Sequence, residues 1–177
     1  MATSFNPRSG RQPRRHRGEG SREPREFEQK TIDLARVTRV VAGGKRMRFR
    51  ATVAIGDQKG RVGVGIAKGA DVSIAIQKAV TAAKKRLIKV PIVNDTIPHQ
   101  ILARHGAAMV LLKPAPRGSG VIAGGPIRAV MELAGVKNVV SKILGSPNKI
   151  NNLYALIDGL KRLRTKEEMA RLRGREL

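Results

Sequence analysis

The side chains able to do chemistry are few and scattered. Three histidines stand apart: His16 in an Arg-rich opening stretch, His99 beside Pro98, and His105 at a turn, with Asp95 the only acid within ten residues of the last two. That spacing fits neither a pair of metal ligands nor a histidine base with its carboxylate partner. The acids are mostly isolated, and the adjacent Glu167-Glu168 falls on an exposed terminal segment, so no two carboxylates are set up for acid/base work. With no Cys there is no thiol nucleophile, zinc finger or disulfide framework. One pattern touches phosphate chemistry. Gly118-Ser119-Gly120-Val121-Ile122-Ala123 fits G-x-G-x-x-[GA], and Gly124-Gly125 follow it before a helix start. Yet it precedes a strand, and no acid lies about 20 residues on, where a ribose partner belongs. The expectation is no catalytic residue, no metal and no cofactor. What remains is the alternation Arg46, Arg48, Arg50, a row of guanidinium groups suited to pairing with phosphates.

Charge extends that reading to the whole chain. The 177 residues hold 36 Lys+Arg against 13 Asp+Glu, for a formal net charge of +23. Residues 1–27 carry +4, residues 28–92 carry +11 and residues 93–177 carry +8, so the excess is not confined to a tail. Such self-repulsion weakens a compact free monomer, and a polyanion relieves it; nucleic acid is the first candidate. An anionic membrane fits less well, because no polybasic helix has a large apolar face, and no run approaches the ~18 apolar residues of a span. The opening stretch lacks a signal-peptide apolar core, and Glu19, Glu23 and Glu26 are out of place in a transit peptide. These features predict a cytoplasmic protein.

The elements that must position the basic groups follow from periodicity. Residues 1–27, rich in Arg, Gly, Pro, Ser and Glu, predict a disordered basic arm. Strands are expected over Val37–Val41, Arg46–Ile55 and Arg61–Ala67, the first two joined by a turn at Ala42-Gly43-Gly44-Lys45. In the second, Met47, Phe49, Ala51, Val53 and Ile55 point to one face and Arg46, Arg48, Arg50 and Thr52 to the other. In the third, Gly63, Gly65 and Ala67 leave one face almost bare for close approach by another element. Asp71 is placed to cap a helix running to about Ile88, with Val72, Ala75, Ile76, Ala79, Val80, Ala83 and Leu87 as its apolar stripe. The first domain spans 28–92.

A new pattern fills 93–164. Strands are expected at Ile97–Arg104, Ala107–Lys113 and Gly120–Ala123. Pro126 and Gly135 bracket a helix, Val136–Leu144 is a strand, and Ser146-Pro147 opens a long helix. Thr165-Lys166-Glu167-Glu168 has the form of a capping box, so 165–177 reads as a basic terminal helix or tail. The class is α+β, two small two-layer domains, each marginal alone.

Five runs resemble, in order, the bacterial-type small-subunit ribosomal protein five family. They are Val41-Ala42-Gly43-Gly44-Lys45-Arg46-Met47-Arg48-Phe49, Gly60-Arg61-Val62-Gly63-Val64-Gly65, Ala75-Ile76-Gln77-Lys78-Ala79, Gly118–Gly125, and Gly145-Ser146-Pro147-Asn148. The resemblance covers about residues 28–164. It implies a first domain similar to double-stranded-RNA-binding folds and a second, βββαβα sandwich with a left-handed crossover, against the usual handedness. It also implies a structural constituent of the small ribosomal subunit, lying between head and body near the messenger entry channel beside small-subunit proteins four and eight. In that family the hairpin matching Ala42–Arg46 touches head ribosomal RNA and decides spectinomycin sensitivity. The loop matching Gly118–Gly120, with the position of Arg128, faces protein four, and changes there alter decoding accuracy. Two departures stand out: some members carry Lys where this chain has Ala42, and the Arg/Gly/Pro arm has no counterpart in the shorter members.

Together these predict ribosomal RNA contacts at Gly43, Gly44, Lys45, Arg46, Arg48 and Arg50, and a protein interface at Gly118, Ser119, Gly120 and Arg128. No membrane and no small-molecule substrate is expected. The rival readings are a free RNA-binding protein or RNA chaperone using the basic strand, and a nucleotide-dependent enzyme using the Gly118–Gly125 loop.

Overall fold

A computed structural model describes residues 26–174. The expected disordered arm, with Phe5 and His16, lies outside the described residues except for Glu26 and Phe27. Phe27 packs against the first core, and the Arg61 guanidinium lies 5.1 Å from its ring centroid.

The first sheet is antiparallel throughout, in the order β1-β2-β3-β4. β1 (Glu28–Val41) begins nine residues before the expected Val37, because its opening is a polar edge strand whose alternation is broken by a bulge between Thr31 and Asp33. β2 (Gly44–Gly56) and β3 (Arg61–Gly69) follow as expected. Helix α1 (Val72–Lys84) buries Ala75, Ala79 and Ala83, one small residue per turn. Small side chains meet bare backbone here: a Cβ at Gly63 or Gly65 of β3 would overlap the carbonyls of Ala83 or Ala79. The helix stops short of Ile88, because Ile88-Lys89 forms β4 and pairs with Arg61-Val62. Asp71 occupies the N-cap position, but its carboxylate accepts from Ser73 Oγ at 2.6 Å and makes no cap hydrogen bond.

The second sheet runs β5-β6-β8-β7, comprising β5 (Ile101–His105), β6 (Ala108–Pro114), β7 (Val121–Ile122) and β8 (Val139–Ile143). β7 and β8 are parallel and joined through α2 (Gly125–Ala134), which has Pro126 in its first turn and Gly135 in the left-handed region just past its end. The expected strand at Ile97–Arg104 starts four residues late. Pro98 interrupts it, and Ile97 is instead buried in the connecting loop. Likewise Val136–Asn138 is loop, with the Lys137 and Asn138 amides donating to the Asp95 carbonyl. Helix α3 (Lys149–Arg162) is capped by Asn148, whose Oδ1 accepts from the Ile150 amide at 3.0 Å. α4 (Lys166–Leu172) starts on a full capping box, Thr165 and Glu168 each accepting from the other's amide.

The two halves share one core. Ala54, Val62, Val64 and Val90 belong to the same buried cluster as Val110, Leu112, Ile127, Met131, Leu153, Leu156 and Leu160. The face of β2 and β3 opposite α1 is therefore apolar where it meets the second half, with Thr52 also buried there. The β2–β3 turn completes the junction. The Gln58 and Gly60 amides donate to the carbonyls of Leu133 and Ala134, both at 2.9 Å, so two carbonyls at the end of α2 find their partners in the other sheet.

Candidate nucleic-acid interface

β3 pairs with β2 only from Phe49 onward, so beyond that point β1 and β2 run on alone as a two-stranded ribbon. Its register follows from a tight turn. Val41 lies opposite Gly44, and Gly43 and Gly44 have φ of +84° and +150°. A Cβ at either glycine would meet open space, so backbone conformation alone keeps these positions glycine.

That register puts Arg39 directly opposite Arg46, with Arg48 next along the same face, all three exposed. Arg36 and Lys45 are exposed on the other face. None of these five makes an ion pair among the described residues. Like charges facing each other across two strands are destabilising until an anion lies between them. Sequence reading missed Arg36 and Arg39. The signal was there: counting back from a two-residue turn places Arg39 against Arg46.

Arg50 sits differently from Arg46 and Arg48. It is half-buried, its NH2 group is 3.4 Å from Asp33 Oδ2, and Lys149 Nζ of α3 reaches Asp33 Oδ1 at 3.0 Å. Asp33 is thus a bridge between the base of the ribbon and the second half. The hydrogen bond from Lys149 holds its carboxyl below the usual range, against the opposing effect of burial, and Arg50 adds to the lowering. A carboxyl with a depressed folded pKa contributes stability above its unfolded pKa and loses it as pH falls through the folded one. Asp33→Asn should therefore cost about 1 kcal/mol at neutral pH, a gap that narrows as pH falls below about 4 and closes once pH is under the lowered folded pKa. Urea unfolding of wild type and variant at pH 7 and pH 2.5 checks this; an equal gap at both pH values would refute the bridge.

The glycine loop is built inward. The amides of Gly118 and Gly120 donate to the buried Asn138 Oδ1, at 3.1 and 3.2 Å. The Ser119 amide donates to the Pro116 carbonyl at 3.3 Å. These three N–H groups are already taken and so are not free to cradle a phosphate. Arg128 lies in the first turn of α2, exposed and without an ion pair among the described residues. His105 Nδ1 is 3.3 Å from Asp158 Oδ2 with its ring packed on Tyr154, and His99 Nδ1 lies 2.9 Å from the Gln100 carbonyl. Among the described residues no three His, Asp or Glu gather as a metal site, and no helix is long and apolar enough to cross a membrane.

Two α/β units joined through one core, with an unpaired basic ribbon projecting from the first, define an RNA-binding protein of the α+β class. Comparison with family models agrees. The N-terminal domain of ribosomal protein S5 matches residues 27–91, and the C-terminal domain of ribosomal protein S5 matches residues 103–173. The chain belongs to the ribosomal protein S5 family. It is accordingly a structural, non-enzymatic protein of the small ribosomal subunit that binds ribosomal RNA and other ribosomal proteins.

Proposed function

We propose that the chain braces the head of the small subunit against its body near the messenger entry channel and thereby contributes to decoding accuracy. The observation that supports this reading is the ribbon. It carries Arg39 against Arg46 with Arg48 beside them, none in an ion pair among the described residues, on a base that Asp33 ties to α3. A rigid body with a cationic probe can hold two RNA elements at a fixed spacing. Gly43, Gly44, Lys45, Arg46 and Arg48 form the probe's head-facing end, and Arg50 sets its angle.

Gly44→Val tests the probe. With φ at +150° and open surroundings, the substitution strains the turn and disturbs nothing else. The expected result is impaired assembly of small subunits, or an altered spectinomycin response where assembly survives, with the free protein's melting unchanged within a few degrees. Normal assembly, growth and drug response together would remove the turn from the function. Retention of wild type on small subunits through a high-salt wash separates a resident constituent from a free RNA chaperone.

The second contact is with small-subunit protein four, through Gly118, Ser119, Gly120 and Arg128, with protein eight as a further neighbour. Support comes from the loop's construction: Asn138 locks its amides inward, so its outward face is rigid, and Arg128 stands exposed in the helix that follows β7. A guanidinium so placed suits an acidic group on a neighbouring protein. Arg128→Leu should leave ribosome incorporation nearly intact and raise misreading several-fold, measured with a stop-codon readthrough reporter. Unfolding of the free variant without any change in fidelity would assign Arg128 to the fold instead.

A further inference from the structure

The second sheet has a face that nothing among the described residues covers. Its inner face packs on α2 and α3 and is apolar there apart from Ser141, with Ala103, Val110, Leu112 and Val139 buried. The register then fixes the composition of the outer face. One row runs Arg104, Met109, Leu144; the next Leu102, Leu111, Lys142; the next Lys113, Val140, Ile122. Leu102, Ile122 and Leu144 are 52%, 54% and 52% exposed, large values for aliphatic side chains in or beside a sheet. Six aliphatic groups and three cations share this face, and no carboxylate does.

That composition narrows the occupant. A second copy of the chain would set cations against cations, so self-association is disfavoured. The chain's own opening segment is also excluded on charge, because residues 1–25 hold seven Arg against Glu19 and Glu23. RNA would pair with the three cations but would leave the aliphatic groups against phosphate and sugar, and the face has no aromatic ring on which a base could stack. We propose that this outer face is a docking surface for a protein partner that presents an aliphatic patch beside acidic groups. This deepens the family's general property of binding ribosomal proteins by assigning a face and a chemistry to one such contact.

A photoreactive benzoylphenylalanine placed at Leu102, and separately at Ile122, in the full-length chain tests it. Cells are irradiated, and adducts are sorted into protein and RNA adducts by nuclease and protease treatment. The expected result is one dominant protein adduct, the same at both positions, mapped by mass spectrometry to a segment with acidic residues beside aliphatic ones. Its yield should fall at least fivefold when Lys113→Glu and Lys142→Glu are combined, two exposed positions whose exchange leaves the far-ultraviolet circular dichroism unchanged. RNA adducts, the absence of any adduct, or a yield indifferent to the charge reversal would each overturn the proposal. Sedimentation of the full-length chain with small subunits is read in the same lysates. Its loss would count against the ribosomal placement, whereas the adduct's identity decides the docking face.

Discussion

Gly135→Ala is expected to cost the fold about 3–5 kcal/mol, a large share of the roughly 5–15 kcal/mol that holds an ordinary domain folded. Two effects combine at this residue. Its φ of +84° is a left-handed conformation that costs a non-glycine residue roughly 1 kcal/mol or more. A Cβ there would also overlap the carbonyl of Gln58, pushing the β2–β3 turn off the end of α2. Forcing backbone apart in a packed junction adds about 1–3 kcal/mol and breaks the amide-to-carbonyl bonds from Gln58 and Gly60. Gly118→Ala is the control, because φ is +92° but the surrounding space is open. It should cost only about 1 kcal/mol. Denaturant melts of the two variants separate conformational strain from collision; equal losses would mean that the junction is not tight.

Removing the ribbon's charge should have the largest effect on binding. With Arg39, Lys45, Arg46 and Arg48 all replaced by Ala, the slope of log affinity against log salt should fall by about 3–4, at roughly 0.9 per duplex-like phosphate contact. Arg48→Ala alone should remove about 0.9 of it. Affinity for small-subunit RNA near 0.1 M salt should drop on the order of a thousandfold, taking about 1 kcal/mol per contact. The free protein should not suffer, since all four side chains are exposed, and relief of the Arg39–Arg46 opposition should leave stability equal or slightly higher. Unchanged affinity and slope would place the RNA contact elsewhere. A destabilised free protein would show that these cations are held internally.

Much of this was readable from residue order, for reasons that can be named. The run from Arg46 to Ile55 alternates so regularly that its two faces could be assigned without a structure. The glycines of β3 announced a close neighbour, and the pairing of Pro126 with Gly135 bounded α2. Long-range facts were less legible. Thr52 and Ala54 continue the arginine face by parity but lie buried, because that face turns from solvent to core where the second half covers it. Their lack of charge, matched by Ile66 and Val64 directly opposite, was the available hint. The segment Gly56–Gly60 stands in the sequence only as the break between two expected strands. Its role at the end of α2 depends on a contact across about 75 residues, which no local pattern encodes. Arg50 shared its neighbours' spacing and differed only through Asp33, which alternation from Arg39 puts on the same face but which lay outside a strand expected to begin at Val37. The glycine loop resembled a phosphate cradle until Asn138, about twenty residues on, was seen to occupy its amides.

The common core has a bearing on how the polypeptide is made. Ala54, Val62, Val64 and Val90 emerge from synthesis first, but the side chains that bury them, from Ile97 through Leu163, come later. Until α3 has been synthesised, the first sheet has one sheltered side under α1 and one sticky side, on a nascent chain that already bears the strongly cationic ribbon. The newborn protein therefore passes through a window in which exposed apolar surface and excess positive charge coincide. That is the condition under which non-native association with nucleic acid is fastest and hardest to reverse. Closing the window requires the last long helix, so a chain halted before residue 160 is an aggregation hazard and not a half-functional fragment.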